Sequence, residues 1–462
     1  MITPARRMAD FDEAAAAPGS REHLRLQEHC LGTYSPIRIL VTPSGFPSMR
    51  HPTSAATGFR HLALCVFGIA LCVVLTGCGS LPRNAAPPQK TLLAQIPGMP
   101  HIRAWAGKPD PTVEGDLALS FQQESQKDFP RAADGSVRYA HLALSGGGAS
   151  GAFGSGFLNG WTAAGTRPVF KIVTGVSTGA LMAPFAFLGP DHDDALRQFY
   201  TTTRTRDIFL LSSTFGLLRQ LLSGEALADT RPLQALIAQH VDEELLRRVA
   251  EAHHRGRRLY IGTTDIDVPR FVVWNMGLIA GSGHPEALEL FRKVMLASAS
   301  IPVAFPPVMF EVEFTPGGPR FDEMHVDGGV GARVFLNGGL FRGSVVRERG
   351  GLGGVGKEDI FVIHNGQLIP MPDPVPRALP AIAVRVIDAS GRTAALGDLF
   401  RIYGYAQQEQ ANFQWVTIPN DVAMDGGDEA FDPMKMQMLY DVGYRMARTG
   451  GAWATAPPGQ QP

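Results

Sequence analysis

Cysteine is missing from most of this 462-residue chain. The sequence holds 4 cysteines, and all of them lie within the first 78 residues: Cys30, Cys65, Cys72 and Cys78. The remaining 384 residues therefore cannot form a disulfide, and they supply neither a cysteine nucleophile nor a thiolate ligand for a metal ion. Covalent chemistry in that part of the chain must use another side chain.

An excess of charge of either sign is also missing. The formal net charge is -1, and charged residues make up 18% of the sequence. A nucleic-acid-binding protein presents a basic face, so this balance predicts no nucleic-acid partner. Apolar residues make up 45%, which is enough for a sizeable buried core. The sequence contains no internal repeat and no heptad pattern.

A hydrophobic run of membrane-spanning length is missing from the N-terminal region. The candidate there, Leu62 to Leu75, would rise about 21 Å as a helix, whereas the hydrocarbon core of a bilayer is about 30 Å thick. It follows a methionine and two cations, Met49, Arg50 and Arg60. The pattern is typical of a signal peptide over residues 49–77, although a buried core helix can have the same composition.

The run ends in Leu75-Thr76-Gly77-Cys78, which resembles a bacterial lipobox. By that resemblance Cys78 is lipidated and becomes the first residue of the mature protein. Gly79 follows in place of an aspartate, which favours the outer membrane. The hypothesis is a lipid-anchored protein of the bacterial cell envelope that faces the periplasm. An ordinary signal peptide with an accidental cysteine is the alternative.

These features divide the chain into segments. A signal peptide begins near its own methionine, so residues 1–48 are interpreted as a non-native extension or a disordered segment. Residues 78–135 form a tether and a lead-in, since they start with the proline-rich SLPRNAAPPQK. The main folded domain is predicted over residues 136–449. The Gly/Ala/Pro/Gln-rich residues 450–462 are predicted to be disordered.

Apolar runs and amphipathic stretches alternate along the main domain. Short buried runs predict strands, and apolar residues at helical spacing predict helices. The predicted strands are Val137–Leu144, Phe170–Thr174, Leu259–Thr263, Arg270–Trp274, Ile360–His364 and Ile382–Val386. The predicted helices are Gly151–Trp161, Ala180–Leu188, Leu233–Ala252 and Leu288–Ala299. This alternation indicates an α/β fold with a largely parallel sheet.

Glycine is concentrated directly after the first predicted strand. Residues 142–156 read LALSGGGASGAFGSG, in which Gly146, Gly148 and Gly151 match the G-x-G-x-x-G of a dinucleotide-binding turn. That turn needs an acidic residue about 20 positions later, and no Asp or Glu occurs between residues 135 and 190. A phosphate loop also fails, because no Gly-Lys-Ser/Thr follows. A nucleotide cofactor is therefore not expected.

A second glycine motif follows the next predicted strand. Gly175-Val176-Ser177-Thr178-Gly179 fits the G-x-S-x-G of a nucleophile elbow, and it has the required place between a strand and a helix. Gly175 and Gly179 would relieve crowding around Ser177. An ordinary strand-to-helix turn can carry the same residues, and the motif also arises by chance in a glycine-rich chain.

The two glycine motifs suit one reaction. Acyl transfer passes through an oxyanion that needs about two amide donors, and a glycine run can turn its N–H groups inward. Gly146, Gly147 and Gly148 are therefore predicted to form an oxyanion hole for attack by Ser177. Asp327, in MHVDGGV, is the candidate base because it follows a short strand-like stretch. Asp-Gly is also common in plain turns.

Four segments in this order resemble the patatin-like phospholipase family: SGGGASGAFGSG, GVSTG, ASASIPVAFPP from Ala297 to Pro307, and the DGG that begins at Asp327. The resemblance implies a three-layer α/β/α sandwich around a mostly parallel sheet. It also implies a dyad of Ser177 and Asp327 without histidine, which hydrolyses acyl esters of lipids through an acyl-enzyme and needs no cofactor. The four segments contain no metal-ligand arrangement. Ser150 stands where the family often has Arg or Lys, which favours a neutral lipid or short ester over a phospholipid.

Other interpretations remain open for the same residues. His364 follows Ser177 and Asp327 in the order of an α/β-hydrolase triad, or it caps a turn at a strand end. His325, close to Asp327 in sequence, is given no more than a supporting role. The protein is alternatively a non-catalytic, lipid-binding envelope lipoprotein. The segment Phe209–Leu222 (FLLSSTFGLLRQLL) is apolar enough to form a lid.

Overall fold

A nine-stranded sheet forms the centre of the part of the chain that the structure describes. The structure is a computed structural model, and it describes residues 82–88, 94–211, 226–337, 339–351, 356–369, 372, 374–424 and 429–460. The strands are β1 (Arg103–Trp105), β2 (Val137–Leu144), β3 (Phe170–Val176), β4 (Leu210–Leu211), β5 (Ala228–Asp229), β6 (Arg258–Asp265), β7 (Arg270–Asn275), β8 (Val308–Val312), β9 (Phe321–Asp327), β10 (Gly356–His364) and β11 (Asn412–Thr417). β4 and β5 form a separate antiparallel pair.

Helices cover both faces of the main sheet. They are α1 (Pro111–Gln122), α2 (Gly151–Ala163), α3 (Thr178–Leu188), α4 (Asp193–Thr202), α5 (Thr205–Ile208), α6 (Arg231–His240), α7 (Glu243–His254), α8 (Met276–Ala280), α9 (Ala287–Ser298), α10 (Gly343–Arg349), α11 (Leu379–Gln408) and α12 (Pro433–Thr449). Along β2, Leu142 and Leu144 pack in the cluster that contains α2, α3 and α12, whereas Ala143 packs with α11. This alternation is that of a strand buried on both faces. The expected α/β class and its layers are confirmed.

The sheet is parallel in its middle and antiparallel towards one side. Its order is β1-β7-β6-β3-β2-β10-β11, with β9 beside β6 and β8 beside β9. The five strands from β6 to β11 in this order run parallel, and β7, β1, β9 and β8 join by antiparallel pairs. Both glycine motifs follow the carboxyl ends of neighbouring parallel strands, which is where open α/β sheets bind ligands.

β6 brings two distant sequence motifs together. On one edge of β6, residues 258–262 pair with β3, and Val176 lies opposite Gly262. On the same edge, residues 263–265 pair with β9, and Asp327 lies opposite Thr263. The residue before Ser177 and the residue Asp327 therefore face consecutive positions of β6. Strand register alone places a serine and a carboxylate 150 positions apart in sequence next to each other.

Most of the predicted elements are confirmed, with ends that differ by a few residues. β2 has the predicted bounds, and β3, β6, β7 and β10 extend the predicted strands. α2, α3 and α9 correspond to three of the predicted helices. The short stretch before Asp327 is a strand, β9.

The predicted helical stretch Leu233–Ala252 is helical, but it consists of two helices and not of one. α6 ends at His240 and α7 begins at Glu243. Asp242 begins the second helix by accepting a hydrogen bond from the Leu245 N–H at 2.9 Å, as N-cap aspartates do. The apolar periodicity continues across the break and hides it.

The predicted strand Ile382–Val386 is also wrong, because these residues lie within α11. Ile382 and Val386 are 47% and 57% exposed, and they stand one helical turn apart on the helix surface. A short apolar run does not by itself distinguish a strand from a helix. The strand prediction assumed that these apolar residues are buried, whereas both side chains are exposed.

The structured part of the chain begins well before the predicted boundary at residue 136. β1 pairs with β7 at the edge of the sheet, and α1 packs against β3 and β6. Three ion pairs with at least one fully buried partner join this lead-in to the rest of the fold: Arg103–Glu323, Asp116–Arg258 and Glu124–Lys171. The part of the lead-in from residue 94 onward therefore packs into the domain.

The C-terminal tail differs from its prediction as well. Ala454 exchanges two backbone hydrogen bonds of 2.9 Å with Trp415 of β11. The Trp453 ring packs on the rings of Phe157, Trp161 and Phe361, with centroid distances of 4.9, 5.0 and 5.2 Å. These contacts order residues 451–456 against the domain, although their composition predicted disorder.

Several predictions fall on residues outside the described ranges. They concern the extension 1–48, the signal peptide 49–77, Cys78 and most of the lid segment Phe209–Leu222. They stay predictions. Among the described helices, none combines the length and the apolar character that a membrane span requires.

Candidate active site

Ser177 occupies a strained turn between β3 and α3. Its φ of 54° and ψ of −124° are rare for a residue with a side chain, and such a conformation costs about 1–3 kcal/mol. A Cβ at Gly175 would overlap the Gly179 carbonyl, and a Cβ at Gly179 would overlap the Leu144 carbonyl. Both glycines are therefore required by close backbone contacts, and the turn has the geometry that the G-x-S-x-G motif predicts.

The Ser177 hydroxyl lies against Asp327. Its Oγ donates to Asp327 Oδ2 at 2.7 Å, and both side chains are buried. The other carboxylate oxygen, Oδ1, accepts from the Gly329 N–H at 2.6 Å. The Asp327 N–H donates to the Ser300 carbonyl, and the Thr264 hydroxyl donates to the Asp327 carbonyl at 3.0 Å. The backbone and the carboxylate are thus both fixed relative to the serine.

The environment of Asp327 makes it a stronger base than an exposed aspartate. Burial raises the pKa of Asp327 to about 6, against the opposing effects of the hydrogen bonds from Ser177 and Gly329 and of the positive charge of Arg333. A base whose pKa lies near the working pH is efficient because it is ionised and still binds a proton well.

The amide of the elbow residue is already bonded. The Ser177 N–H donates to Ser298 Oγ at 3.0 Å, and Ser298 Oγ donates to the Gly262 carbonyl at 2.6 Å. Ser298 is fully buried. This hydroxyl joins the elbow to β6, and it leaves the Ser177 amide unavailable as a donor to an oxyanion.

The glycine loop passes directly beside Ser177. A Cβ at Gly146 would stand 3.2 Å from Ser177 Cβ. The Gly146 N–H, however, donates to the Arg333 carbonyl at 3.0 Å, so Gly146 is not available as the predicted oxyanion donor. Within the described part of the chain, the amides of Gly147 and Gly148 have no acceptor. The loop therefore offers two candidate donors instead of the three predicted.

Asn365, directly after β10, holds the glycine loop in place. Its N–H donates to Ser145 Oγ at 2.8 Å, and its Nδ2 donates to the Ser145 carbonyl at 2.9 Å. Its Oδ1 accepts from the Gly154 N–H at 3.1 Å. A Cβ at Gly147 would overlap the Asn365 carbonyl. One buried residue thus ties the start of the loop to the first turns of α2 and leaves room only for glycine at position 147.

His364 is not part of the arrangement around Ser177. No hydrogen bond joins it to Ser177 or Asp327, and both Asp327 oxygens already accept hydrogen bonds from other groups. Its strand β10 is separated from β3 by β2. Burial, with the charges of Arg333 and Arg392, lowers the pKa of His364 to about 4. The structure does not bring a Ser-Asp-His triad together.

His325 lies in a separate buried cluster on β9. Its Nδ1 is 2.9 Å from Thr263 Oγ1, and its Nε2 is 3.3 Å from Glu323 Oε2. Asp265, Glu323 and His325 bring ligand atoms within 4.8 Å of one another, a spacing that suits a metal ion. Arg103 already binds both oxygens of Glu323, so a neutralising cation is present. Burial alone would raise the pKa of Glu323, but chiefly the charge of Arg103 lowers it to about 2.

An open apolar cavity lies next to Ser177, and its empty space, including the solvent at its mouth, is about 430 Å³. Its wall includes the side chains of Leu181, Phe199, Ile208, Leu233, Phe305 and Met436. Tyr200 fixes α4 to the elbow, because its hydroxyl lies 2.7 Å from Thr178 Oγ1 and donates to the Thr178 carbonyl at 2.8 Å. A wall of this composition suits a hydrocarbon chain.

Several residues that build this site were not predicted from the sequence. Ser298 lies in the ASASIPVAFPP segment, so the family resemblance offered a signal for it. Asn365 stands in an Asn-Gly pair after a strand, which indicates only a turn. Arg333 and Tyr200 carry no local pattern that could have identified them.

Comparison with a family model places the same segments in one domain. Residues 142–337 match the model described as Patatin-like phospholipase. The matched range includes the glycine loop, the elbow serine and Asp327. No curated protein matches the sequence closely enough to count as a relative.

Two solved structures are similar to the chain at low sequence identity. VipD from Legionella pneumophila is 12% identical with a TM-score of 0.34, and the match covers 70% of this chain and 69% of VipD. The type III effector protein ExoU is 16% identical with a TM-score of 0.29, and the match covers 71% of this chain and 57% of ExoU.

Proposed function

We propose that residues 142–337, which match the model described as Patatin-like phospholipase, act as a serine hydrolase on lipid esters, and that Ser177 and Asp327 carry out the reaction as a dyad. The observation that supports the dyad most directly is the 2.7 Å hydrogen bond from Ser177 Oγ to Asp327 Oδ2. Since this bond joins nucleophile and base directly, the reaction needs no histidine between them.

The reaction has two halves. Ser177 Oγ attacks the ester carbonyl carbon while Asp327 takes the hydroxyl proton, and the amides of Gly147 and Gly148 stabilise the oxyanion. Asp327 then gives the proton to the departing alkoxide, which leaves an acyl group on Ser177. In the second half Asp327 removes a proton from water, and the resulting hydroxide attacks the acyl carbon. The bond to Ser177 Oγ then breaks, Asp327 returns the proton to that oxygen, and a fatty acid leaves.

The apolar cavity beside Ser177 supports a lipid substrate. An acyl chain lying along Leu181, Phe305 and Met436 would leave its carbonyl next to the Ser177 hydroxyl. We further propose that the protein is anchored in the outer membrane through Cys78, a proposal that rests on the sequence Leu62 to Cys78 alone. Such an anchor would hold the site close to its substrate.

Four versions of the full chain, purified in detergent, test the dyad: the parent, Ser177→Ala, Asp327→Asn and His364→Ala. Each is assayed for hydrolysis of p-nitrophenyl esters and for covalent labelling by a fluorophosphonate. We expect the first two variants to lose hydrolysis by about 10³-fold or more, because each removes a member of a unit. His364→Ala should keep most of the activity.

Each other outcome leads to a different conclusion. Loss of activity in a folded His364→Ala protein would favour a Ser-Asp-His triad. A parent that is folded, binds lipid vesicles, and shows neither hydrolysis nor labelling would make the lipid-binding lipoprotein the better hypothesis.

A further inference from the structure

The Arg333 guanidinium forms no ion pair with an acid of the described chain, although its charge opposes the burial that raises the pKa values of Asp327 and Asp398. Its Nε is buried without a partner, and none of its guanidinium nitrogens forms a hydrogen bond or an ion pair with a described residue. The acids around it are engaged elsewhere. Asp398 accepts the Arg333 N–H and pairs with Arg401, and Asp388 pairs with Arg392. A half-buried guanidinium without a partner has lost hydration that nothing in the fold replaces.

This guanidinium lies beside the dyad. A Cβ at Gly329 would stand 2.9 Å from Asp327 Oδ1 and 3.6 Å from Arg333 Nη1, so the carboxylate and the cation flank the same glycine. On its other side a Cβ at Gly391 of α11 would overlap Arg333 Nη2, which fixes the side chain against that helix. Burial dominates the pKa values of Asp327 and His364, and the Arg333 charge lowers both.

Arg333 and the apolar cavity belong to opposite faces of the sheet. The cavity is walled by α3, α4, α6 and residues 299–305, on the face where Leu144 packs. The Arg333 guanidinium lies against Gly391 of α11, and Leu399 and Ile402 of that helix pack with Ala143 on the other face. Ser177 stands at the strand ends between the two faces. An ester whose acyl chain filled the cavity would have room for its alcohol half on the side where Arg333 lies.

We propose that Arg333 binds an anionic group, a phosphate or a carboxylate, on the alcohol half of the ester that Ser177 cleaves. The inference rests on the proposed function and adds a specificity-determining residue to it. A planar guanidinium binds such groups through two parallel hydrogen bonds. Arg333 would thus select amphipathic esters with a negative charge near the scissile bond.

The test compares two esters with the same acyl chain, a monoacylglycerol and a monoacylglycerol phosphate. The values of kcat/KM are measured for the full-chain parent, Arg333→Gln and Arg392→Gln at pH 8, where Asp327 is ionised. Arg392 is the matched control, because it is a neighbouring arginine whose guanidinium is already paired with Asp388. We expect the phosphate-to-neutral ratio to fall about 10- to 100-fold in Arg333→Gln, mainly through KM, and to stay at the parent value in Arg392→Gln.

The outcomes separate the two claims. If the parent cleaves both esters and Arg333→Gln keeps the parent ratio, the anion site is wrong and the hydrolase stands. If the parent cleaves neither ester, the proposed function itself is wrong. In a further assay, inorganic phosphate is added to the neutral ester. Suppose that phosphate inhibits the parent but not Arg333→Gln, while the two proteins have the same phosphate-to-neutral ratio of kcat/KM. Arg333 would then bind a free anion and not the substrate, which would overturn the inference.

A conservative variant protects the test against misfolding. Arg333→Lys keeps the charge but loses the two-pronged geometry, so we expect its ratio to lie between those of the parent and Arg333→Gln. Thermal melts of all variants show which are folded. If folded Arg333→Lys has the phosphate-to-neutral ratio of the parent, a positive charge alone is enough to bind the anionic group. If its ratio equals that of Arg333→Gln, the preference does not depend on the charge, which contradicts the proposal.

Discussion

At the scale of single residues, Asp327 must stay ionised inside a buried site in order to act as a base. Its pKa of about 6 lies above the value of about 3.9 for an exposed aspartate, so the folded chain binds this proton more tightly than the unfolded chain does. The stability of the protein therefore falls as the pH rises from about 4 to about 6. The uncharged variant Asp327→Asn does not share this loss.

We expect Asp327→Asn to be more stable than the parent at pH 8 by about 2 kcal/mol, and to lose most of this advantage at pH 4.5. Denaturant titrations of both proteins at the two pH values measure the difference. A difference that does not change with pH would mean that Asp327 is not the buried ionised group inferred from the structure.

The same carboxylate predicts the acid side of the activity profile. Only ionised Asp327 can take the proton of Ser177, so the rate of fluorophosphonate labelling should rise about tenfold per pH unit well below pH 6 and level off above pH 7. Labelling is measured from pH 5 to pH 8, with Ser177→Ala as the blank. A flat profile over this range would exclude Asp327 as the base.

At the scale of elements, the end of β10 determines the shape of the glycine loop through Asn365. Asn365→Asp keeps the size of the side chain but removes the Nδ2 donor to the Ser145 carbonyl, and it places a negative charge beside the loop. We expect kcat to fall about 10- to 100-fold with little change in KM, because the amides of Gly147 and Gly148 act on the transition state. Kinetics on a p-nitrophenyl ester measure both values.

Asn159→Asp is the matched control for this variant. Asn159 is also a buried asparagine, and its Nδ2 donates to the Asp193 carbonyl and to Tyr440, away from the loop. A loss of kcat of equal size in this control would attribute the effect to general destabilisation.

The same scale shows what sequence can and cannot predict here. β2, β3 and the elbow were predictable because buried runs and glycine motifs are local patterns. The bond from the Gly146 N–H to the Arg333 carbonyl is not local, and it removed one predicted oxyanion donor. The role of Asn365 depends on the pairing of β10 with β2, and no short segment of the sequence indicates the order of the strands in the sheet.

At the scale of the whole molecule, the lead-in before residue 136 neutralises charges inside the domain. Arg103, Asp116 and Glu124 pair with Glu323, Arg258 and Lys171. An unpaired buried charge costs about 3–5 kcal/mol, and the total stability of a domain is about 5–15 kcal/mol. We expect a chain that starts at residue 136 to be insoluble or unfolded, whereas one that starts at residue 82 folds. Circular dichroism and thermal melts of the two chains check this.

A pair of substitutions isolates one of these contributions. Glu323→Leu should destabilise the full chain by about 3–5 kcal/mol, because it leaves Arg103 buried and unpaired, and Arg103→Leu should act similarly. The double variant should be more stable than either single one. A loss in the double variant equal to the sum of the two single losses, measured in a denaturant series, would show that the two charges are not coupled.

The shared edge of β6 has a consequence for how such a protein can diverge. Because Val176 and Asp327 are aligned on neighbouring residues of one strand, the stretch between the serine and the aspartate can lengthen or shorten without changing their separation. That stretch includes most of the cavity wall. A deletion of one residue inside β6, in contrast, would shift the aspartate by about 3.3 Å and turn it to the other face of the sheet. Substrate range can therefore be remodelled by insertion while the chemistry is inherited intact.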